Sequence, residues 1–195
     1  DGTLTYRQLR SHTQNFARYL KSLELPEIRL GVMARNGRGI IIPLGAKGYA
    51  GAGIYLLNVG SSPEQLAGCI EENGINVLVI DDEFIDRVDP NLDIPVIIAH
   101  DTGESDLPTL DKIVKNPLDI ELPTFPKHGP IVLMSSGTTG IPKGIMRPEP
   151  TLPVVLASIV GNIPWRADQR VQMTASIFHT WGWACINIAS VSYTH

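Results

Sequence analysis

The chain has 195 residues, 16 Lys and Arg against 20 Asp and Glu, a formal net charge of −4 and 6% aromatic residues. Its basic residues are scattered, which excludes the electropositive stripe of a nucleic-acid binder. With 43% hydrophobic and 18% charged residues it suits a globular unit, and its longest apolar tracts, 40–46 and 152–165, are interrupted by Pro43, Pro153, Asn162 and Pro164 and fall short of a membrane span.

Thr5 and Gln8 have capping-box spacing, and Leu9, Phe16, Leu20 and Leu23 continue an apolar face behind them, so a first helix is expected over 6–21. Residues 28–34 read as a strand. Residues 36–52 read as an irregular helix, weakened by glycines and Pro43. The run GAKGYAGAG at 45–53 lacks G-x-G-x-x-G in order and lies at a helix end, so its glycines are expected to serve close packing of helix on sheet. A strand at 54–58 leads to Ser62-Pro63-Glu64-Gln65, a capping box with proline at the first helical position. That helix is expected to end near Asn73 and Gly74, where glycine can adopt the left-handed conformation.

Residues 75–80 and 94–99 are unbroken β-branched runs, the pattern of strands covered on both faces. Together these segments predict an α/β fold with a mostly parallel sheet flanked by helices. The proline-rich region 101–130 reads as a crossing linker with minor strands. Further strands are expected at 131–134 and 171–175, and a helix over 151–161; the periodicity of 183–193 is ambiguous.

Several polar residues carry no ligand pattern. Cys69 and Cys185 lack metal spacing or a C-x-x-C, so both read as buried thiols in a reducing, cytoplasmic setting. His12, His100, His128 and His195 read as structural or solvated, and Asp81-Asp82-Glu83, at a strand end, as a solvated turn rather than a metal site. The first residues show no signal-peptide pattern. The chain opens at Asp1 without an initiator Met and closes at His195 after an apolar run, so a longer protein is expected, with core-like surface exposed on this portion.

The chemistry concentrates in IVLMSSGTTGIPKGIMR at 131–147. Ser135, Ser136, Thr138 and Thr139 offer hydroxyl donors after a short apolar strand. Gly137, Gly140 and Gly144 let backbone N–H groups turn toward a ligand. Pro142 stiffens the backbone beside Lys143, which supplies a mobile positive charge. A Walker A loop would place Ser or Thr after the lysine, but Gly144 stands there. The segment is not a standard P-loop, although its residue types suit it to holding phosphates.

SSGTTGIPKG resembles the signature loop of the AMP-forming adenylating superfamily, which contains acyl-CoA synthetases, insect luciferases and peptide-synthetase adenylation domains. The resemblance extends through TYRQL at 5–9, the small-residue helix at 46–53, SSPEQL at 61–66 and IFHTWGW at 177–183, and is strongest toward fatty-acyl-CoA ligases. It implies part of a layered α/β N-terminal domain, with 1–125 a first α/β portion and 126–195 the phosphate-loop strand and the start of an acyl-pocket region. The remainder of that domain and a small C-terminal domain would lie beyond residue 195, with the adenine loop, the main magnesium ligand and a catalytic lysine, so the chain alone would be inactive.

The implied substrates and cofactors are a small carboxylic acid, ATP, Mg2+ and coenzyme A. The resemblance places Ser135, Ser136, Gly137, Thr138, Thr139, Gly140 and Lys143 at the nucleotide phosphates, with Thr138 a candidate magnesium contact; Ser135 could instead cap the strand end. Lys143 and His179 carry the catalytic roles. His179, Trp181 and Gly182 would line the junction between nucleotide and acyl group, although Trp181 and Trp183 could equally seal the sheet. A carboxylate needs no deprotonation at neutral pH, so His179 reads as an orienting or gating group rather than a base. Arg147 either approaches a phosphate or faces water. Fatty-acyl-AMP ligase, aryl-acid-CoA ligase and luciferase-like oxygenase remain alternatives, as does a noncatalytic nucleotide-binding or assembly module; peripheral membrane contact also stays open.

Overall fold

A computed structural model describes residues 3–100, 106–127, 129–135, 140–147, 153–163 and 165–192. Helix α1 (Tyr6–Ser22) starts at the expected capping box: Gln8 N–H donates to Thr5 Oγ1 (3.2 Å) and Thr5 N–H to Gln8 Oε1 (2.8 Å). There follow β1 (Arg29–Met33), α2 (Arg38–Ala50), β2 (Gly53–Leu56), α3 (Pro63–Asn73) and β3 (Val77–Ile80). A 3-10 segment (Asp82–Arg87) precedes β4 (Val96–Ile98), α4 (Leu110–Lys115), β5 (Ile131–Ser135), β6 (Lys143–Arg147), α5 (Pro153–Asn162) and α6 (Thr180–Val191).

The strands form one sheet in the order β4-β3-β1-β2-β5-β6, parallel except for β6, which pairs antiparallel with β5. Strands β1, β2 and β3 are buried at every position but Arg29, because both faces are covered. Leu30, Val32, Ile54, Leu56, Val77 and Val79 pack with α1, α2 and α4. Their neighbours Met33, Tyr55, Leu78 and Ile80 pack with α3 and Phe84 on the opposite side.

Helix α2 carries Pro43 buried in its interior, at a site where intrahelical bonding loses one donor. Its packing offsets that loss. A Cβ at Gly45 would run into the Thr13 methyl group of α1, so this glycine serves contact between two helices, not the expected contact of helix on sheet. Helix α3 has the predicted capping box and ends at Gly74 with φ 58°.

Four expectations need correction. The linker 101–130 holds the short helix α4 and, among the described residues, one bridge between Ile98 and Thr109 in place of minor strands. Residues 171–175 are irregular, because the following backbone pairs with a side chain of the β1–α2 loop instead of a neighbouring strand. Asp81 is buried rather than solvated: its Oδ2 accepts from Arg35 N–H (2.7 Å), and burial pushes its carboxyl pKa up. Glu83 pairs with the Arg35 guanidinium at 2.6 and 2.8 Å. Finally, Cys69 is buried but Cys185 only half-buried.

Half-buried His12 has no hydrogen-bond partner for Nδ1 among the described residues, and burial is the main cause of its lowered pKa. Edge strand β6 exposes Ile145 and Met146, at 43% and 65%. His128 and His195 lie outside the described residues.

Gly74 takes a left-handed conformation with the Arg29 guanidinium 3.0 Å from where a Cβ would sit. Gly74→Ala should therefore lower the free energy of unfolding by about 1–2 kcal/mol, read as a shifted urea midpoint at unchanged slope.

Candidate functional site

Because β1, β2 and β5 are neighbours and parallel, their carboxyl ends share one edge of the sheet. The chain leaves β2 toward β3 and leaves β5 in the opposite direction toward β6. That divergence makes a topological switch point, where open α/β sheets commonly place ligands.

The β5–β6 connection carries the signature residues. Ser135 ends β5 in register with Lys143, the first residue of β6, so the loop spans 136–142 and is shorter than the expected 135–144 segment. The strand character of 143–147 was hidden in the sequence by the glycine-rich, polar loop before it. Ser136, Gly137, Thr138 and Thr139 lie outside the described residues. Gly140 has φ 93° and open space where a side chain would stand, a conformation suited to glycine. Lys143 is exposed, and Arg147 ends β6.

The loop's exit arm is docked on α3. Gln65 Nε2 donates to the Gly140 carbonyl (2.8 Å), Ile141 lies over Gly68, and the Cys69 thiol donates to the Pro142 carbonyl (3.6 Å). Desolvation, with a smaller contribution from Glu72, pushes the Cys69 pKa from 9.0 to about 11, which keeps this thiol protonated as a donor near neutral pH. The start of α3 is fixed in turn by Arg87, whose Nη1 donates to the carbonyls of Val59 (2.7 Å) and Ser61 (3.0 Å) while its guanidinium sits 4.6 Å from the Phe84 ring centroid. Below β5, buried Lys47 donates to the Gly129 carbonyl at 3.3 Å, and Gly129 lies against the Ala52 backbone where no Cβ would fit.

His179 arrives on the same edge by another route. Asn36, just beyond β1, uses both ends of its amide on one segment: Nδ2 donates to the Ala175 carbonyl (2.8 Å) and Oδ1 accepts from Ile177 N–H (2.9 Å). This side chain substitutes for a strand partner. His179 is the N-cap residue of α6, exposed, with its ring centroid 4.3 Å from that of Phe178. Two strand spacings, about 10 Å, separate the ends of β1 and β5.

The remaining predicted residues divide. Trp181 is exposed at 56%, whereas half-buried Trp183 packs against the α1–α2 core, its buried Nε1 without a hydrogen-bond partner among the described residues. Gly182 is buried, and a Cβ there would meet the Ser176 carbonyl. Its small size thus serves close approach of this chain's own backbone. The roles of Gln65 in the loop, Asn36, Lys47 and Arg87 were missed from sequence. Asn36 alone had a usable signal, an amide next to glycine at a strand's carboxyl end, where loops carry function.

The family model described as AMP-binding enzyme matches residues 1–192, and the chain belongs to that family. Nonribosomal peptide synthetase ecdA of Aspergillus rugulosus is 29% identical over 151 residues, covering 75% of this chain and 2% of its own length. The human mitochondrial malonate–CoA ligase ACSF3 is 22% identical over 193 residues, 93% of this chain and 32% of its own. In structure, the chain resembles o-succinylbenzoate coenzyme A synthetase (MenE) from Bacillus subtilis in complex with ATP and magnesium ion, with TM-score 0.78 and 18% identity over 100% of this chain and 50% of that one. The chain therefore spans half or less of the length of these proteins. No helix among the described residues is long and apolar enough to cross a membrane.

The docking of Cys69 has a pH signature. Below about pH 9 the thiol is protonated in both folded and unfolded chains; between 9.0 and about 11 the unfolded chain has released the proton while the folded one retains it. The stability contributed by the buried thiol is thus full below pH 9 and is lost as pH rises through about 11. Urea midpoints measured across that interval should fall more steeply for the parent than for Cys69→Ala.

Proposed function

We propose that this chain forms the phosphate-binding part of an enzyme that activates a fatty acid with ATP. The carboxylate is a poor electrophile, because a nucleophile must push electrons onto a group already negative. Attack of its oxygen on the α-phosphorus forms a new P–O bond and expels pyrophosphate, giving acyl-AMP. The coenzyme A thiolate then attacks the acyl carbon, AMP departs, and a thioester remains.

The observation that carries this reading is that Ser135 ends β5 and Lys143 begins β6 beside it, so that the signature segment SSGTTGIPKG joins the two strands at a switch edge, with Lys143 exposed and open space beside Gly140. Backbone amides and hydroxyls of 135–140 would hold the phosphates, and Lys143 would meet charge growing on the leaving pyrophosphate. Magnesium, when bound, neutralises phosphate charge; among the described residues there is no cluster of three His, Cys, Asp or Glu to hold it. Thr138 is the candidate contact from this chain. His179 would orient the carboxylate at the acyl junction, with exposed Trp181 as an apolar wall.

The apolar character of FHTWGW supports a fatty acid, and the ligase relative supports coenzyme A as acceptor. Two free thiols accord with a reducing, cytoplasmic setting. A second reading, adenylation of an amino acid or other small acid, draws on the peptide-synthetase relative. Acid-dependent ATP–pyrophosphate exchange by the full-length protein tests the common step, a panel of fatty, aryl and amino acids separates the readings, and coenzyme A-dependent AMP release identifies the acceptor.

In that assay Lys143→Ala should slow exchange roughly 100–1,000-fold, equivalent to about 3–4 kcal/mol of lost transition-state stabilisation. Because Lys143 is exposed, its unfolding midpoint should stay near the parental value. Parental exchange in the variant would refute the role given to the ammonium group.

A further inference from the structure

Gln65, Gly68, Cys69 and Asn73 form one stripe along α3, at the three- and four-residue spacings that share a helix face. The exit arm of the phosphate loop lies along that stripe. Gln65 holds the Gly140 carbonyl, Gly68 receives Ile141, Cys69 holds the Pro142 carbonyl, and a Cβ on Gly144 would stand 2.7 Å from Asn73 Oδ1. The contacts advance in the same direction on both partners. From 65 to 73 a helix rises about 12 Å, and from 140 to 144 an extended chain runs about 13 Å, so the two keep step.

Gln65 differs from the other three in being anchored at both ends. Its Oε1 accepts from Ser62 N–H (3.0 Å) in the capping box while its Nε2 donates to the Gly140 carbonyl (2.8 Å). One carboxamide thus ties the start of α3, which Arg87 already fixes, to the first described residue after the signature hydroxyls. The sequence alone marks it only as a helix cap.

We propose that Gln65 is a positioning residue for the phosphate loop: by holding the Gly140 carbonyl it sets where the arm enters β6 and so where Lys143 starts. Its consequence for ATP rests on the adenylation reading; its consequence for the loop does not.

Gln65→Glu in the full-length protein separates the two jobs of the side chain. Glutamate can still accept from Ser62 N–H as an ordinary capping-box residue, but it has no amide to offer Gly140. The unfolding midpoint should fall only slightly, by the loss of that one hydrogen bond. The backbone N–H groups of Gly140, Ile141, Lys143 and Gly144 in the nucleotide-free protein should exchange with deuterium about fivefold faster, the factor set by losing one hydrogen bond of ordinary net strength. In pyrophosphate exchange the KM for ATP should rise by a similar factor, with a smaller change in kcat. Gln65→Ala, which loses the capping-box bond as well, should lower the midpoint further.

Parental deuterium exchange at 140–144 in Gln65→Glu overturns the proposal, and so does faster exchange with an unchanged KM for ATP, since the tie would then not reach the site. If the parent shows no acid-dependent pyrophosphate exchange at all, the adenylation reading fails, and the deuterium measurement, made without nucleotide, still decides whether Gln65 holds the loop.

Discussion

The approach of α3 to the arm leading into β6 depends on two residues that have no side chain. A Cβ on Gly68 would stand 2.8 Å from Ile141 Cδ1, and one on Gly144 would stand 2.7 Å from Asn73 Oδ1 of α3. Forcing a methyl group into such contacts typically costs about 1–3 kcal/mol, against about 0.5–1.5 kcal/mol for a single neutral hydrogen bond. Packing therefore decides whether the arm docks, and the bonds from Gln65 and Cys69 decide at which register. Everything assigned to the phosphate loop depends on that docking, because Lys143 begins the strand that the arm becomes.

Elements governed by local rules were legible in the sequence. Both capping boxes, the left-handed glycine ending α3 and the five strands of the parallel sheet, two of them read as β-branched runs, follow from spacing and side-chain type. What could not be read depends on partners distant along the chain. Strand β6 exists because β5 offers it an edge, and its glycine and terminal charges disguise it. Residues 171–175 alternate like a strand but lie where a side chain, not a strand, supplies the following backbone's partners. Asp81 looks like surface until the fold brings Arg35 N–H to it across 46 positions.

The site divided in the same way. The residue types from which the loop's role is proposed, hydroxyls with glycines and one lysine, stand in the sequence, whereas the supports of its exit arm were invisible because each reaches it through tertiary contact. Gln65 is 75 positions from Gly140, and Asn36 is 139 from Ala175. For Gly182, the resemblance implied a place at the junction of nucleotide and acyl group; in the fold the Ser176 carbonyl stands where its Cβ would be. The first turn of α6 nests on the bend before it, so His179 is presented by a backbone arrangement rather than by its own bonds.

These supports suit the electrostatic demand of the proposed chemistry. Stabilising charge that appears only during a reaction requires donors already oriented, since reorganising them then would consume the gain. A lysine on a flexible stem meets that requirement only if its Cα is held. Here the strand beginning at Lys143 is paired to β5, the residues before it are fixed to α3, and the loop leading into α3 is held by Arg87 of the 3-10 segment. The side chain itself stays exposed. Backbone held in this way, by pairing with β5 and docking on α3, suits the role proposed for Lys143 at the leaving pyrophosphate.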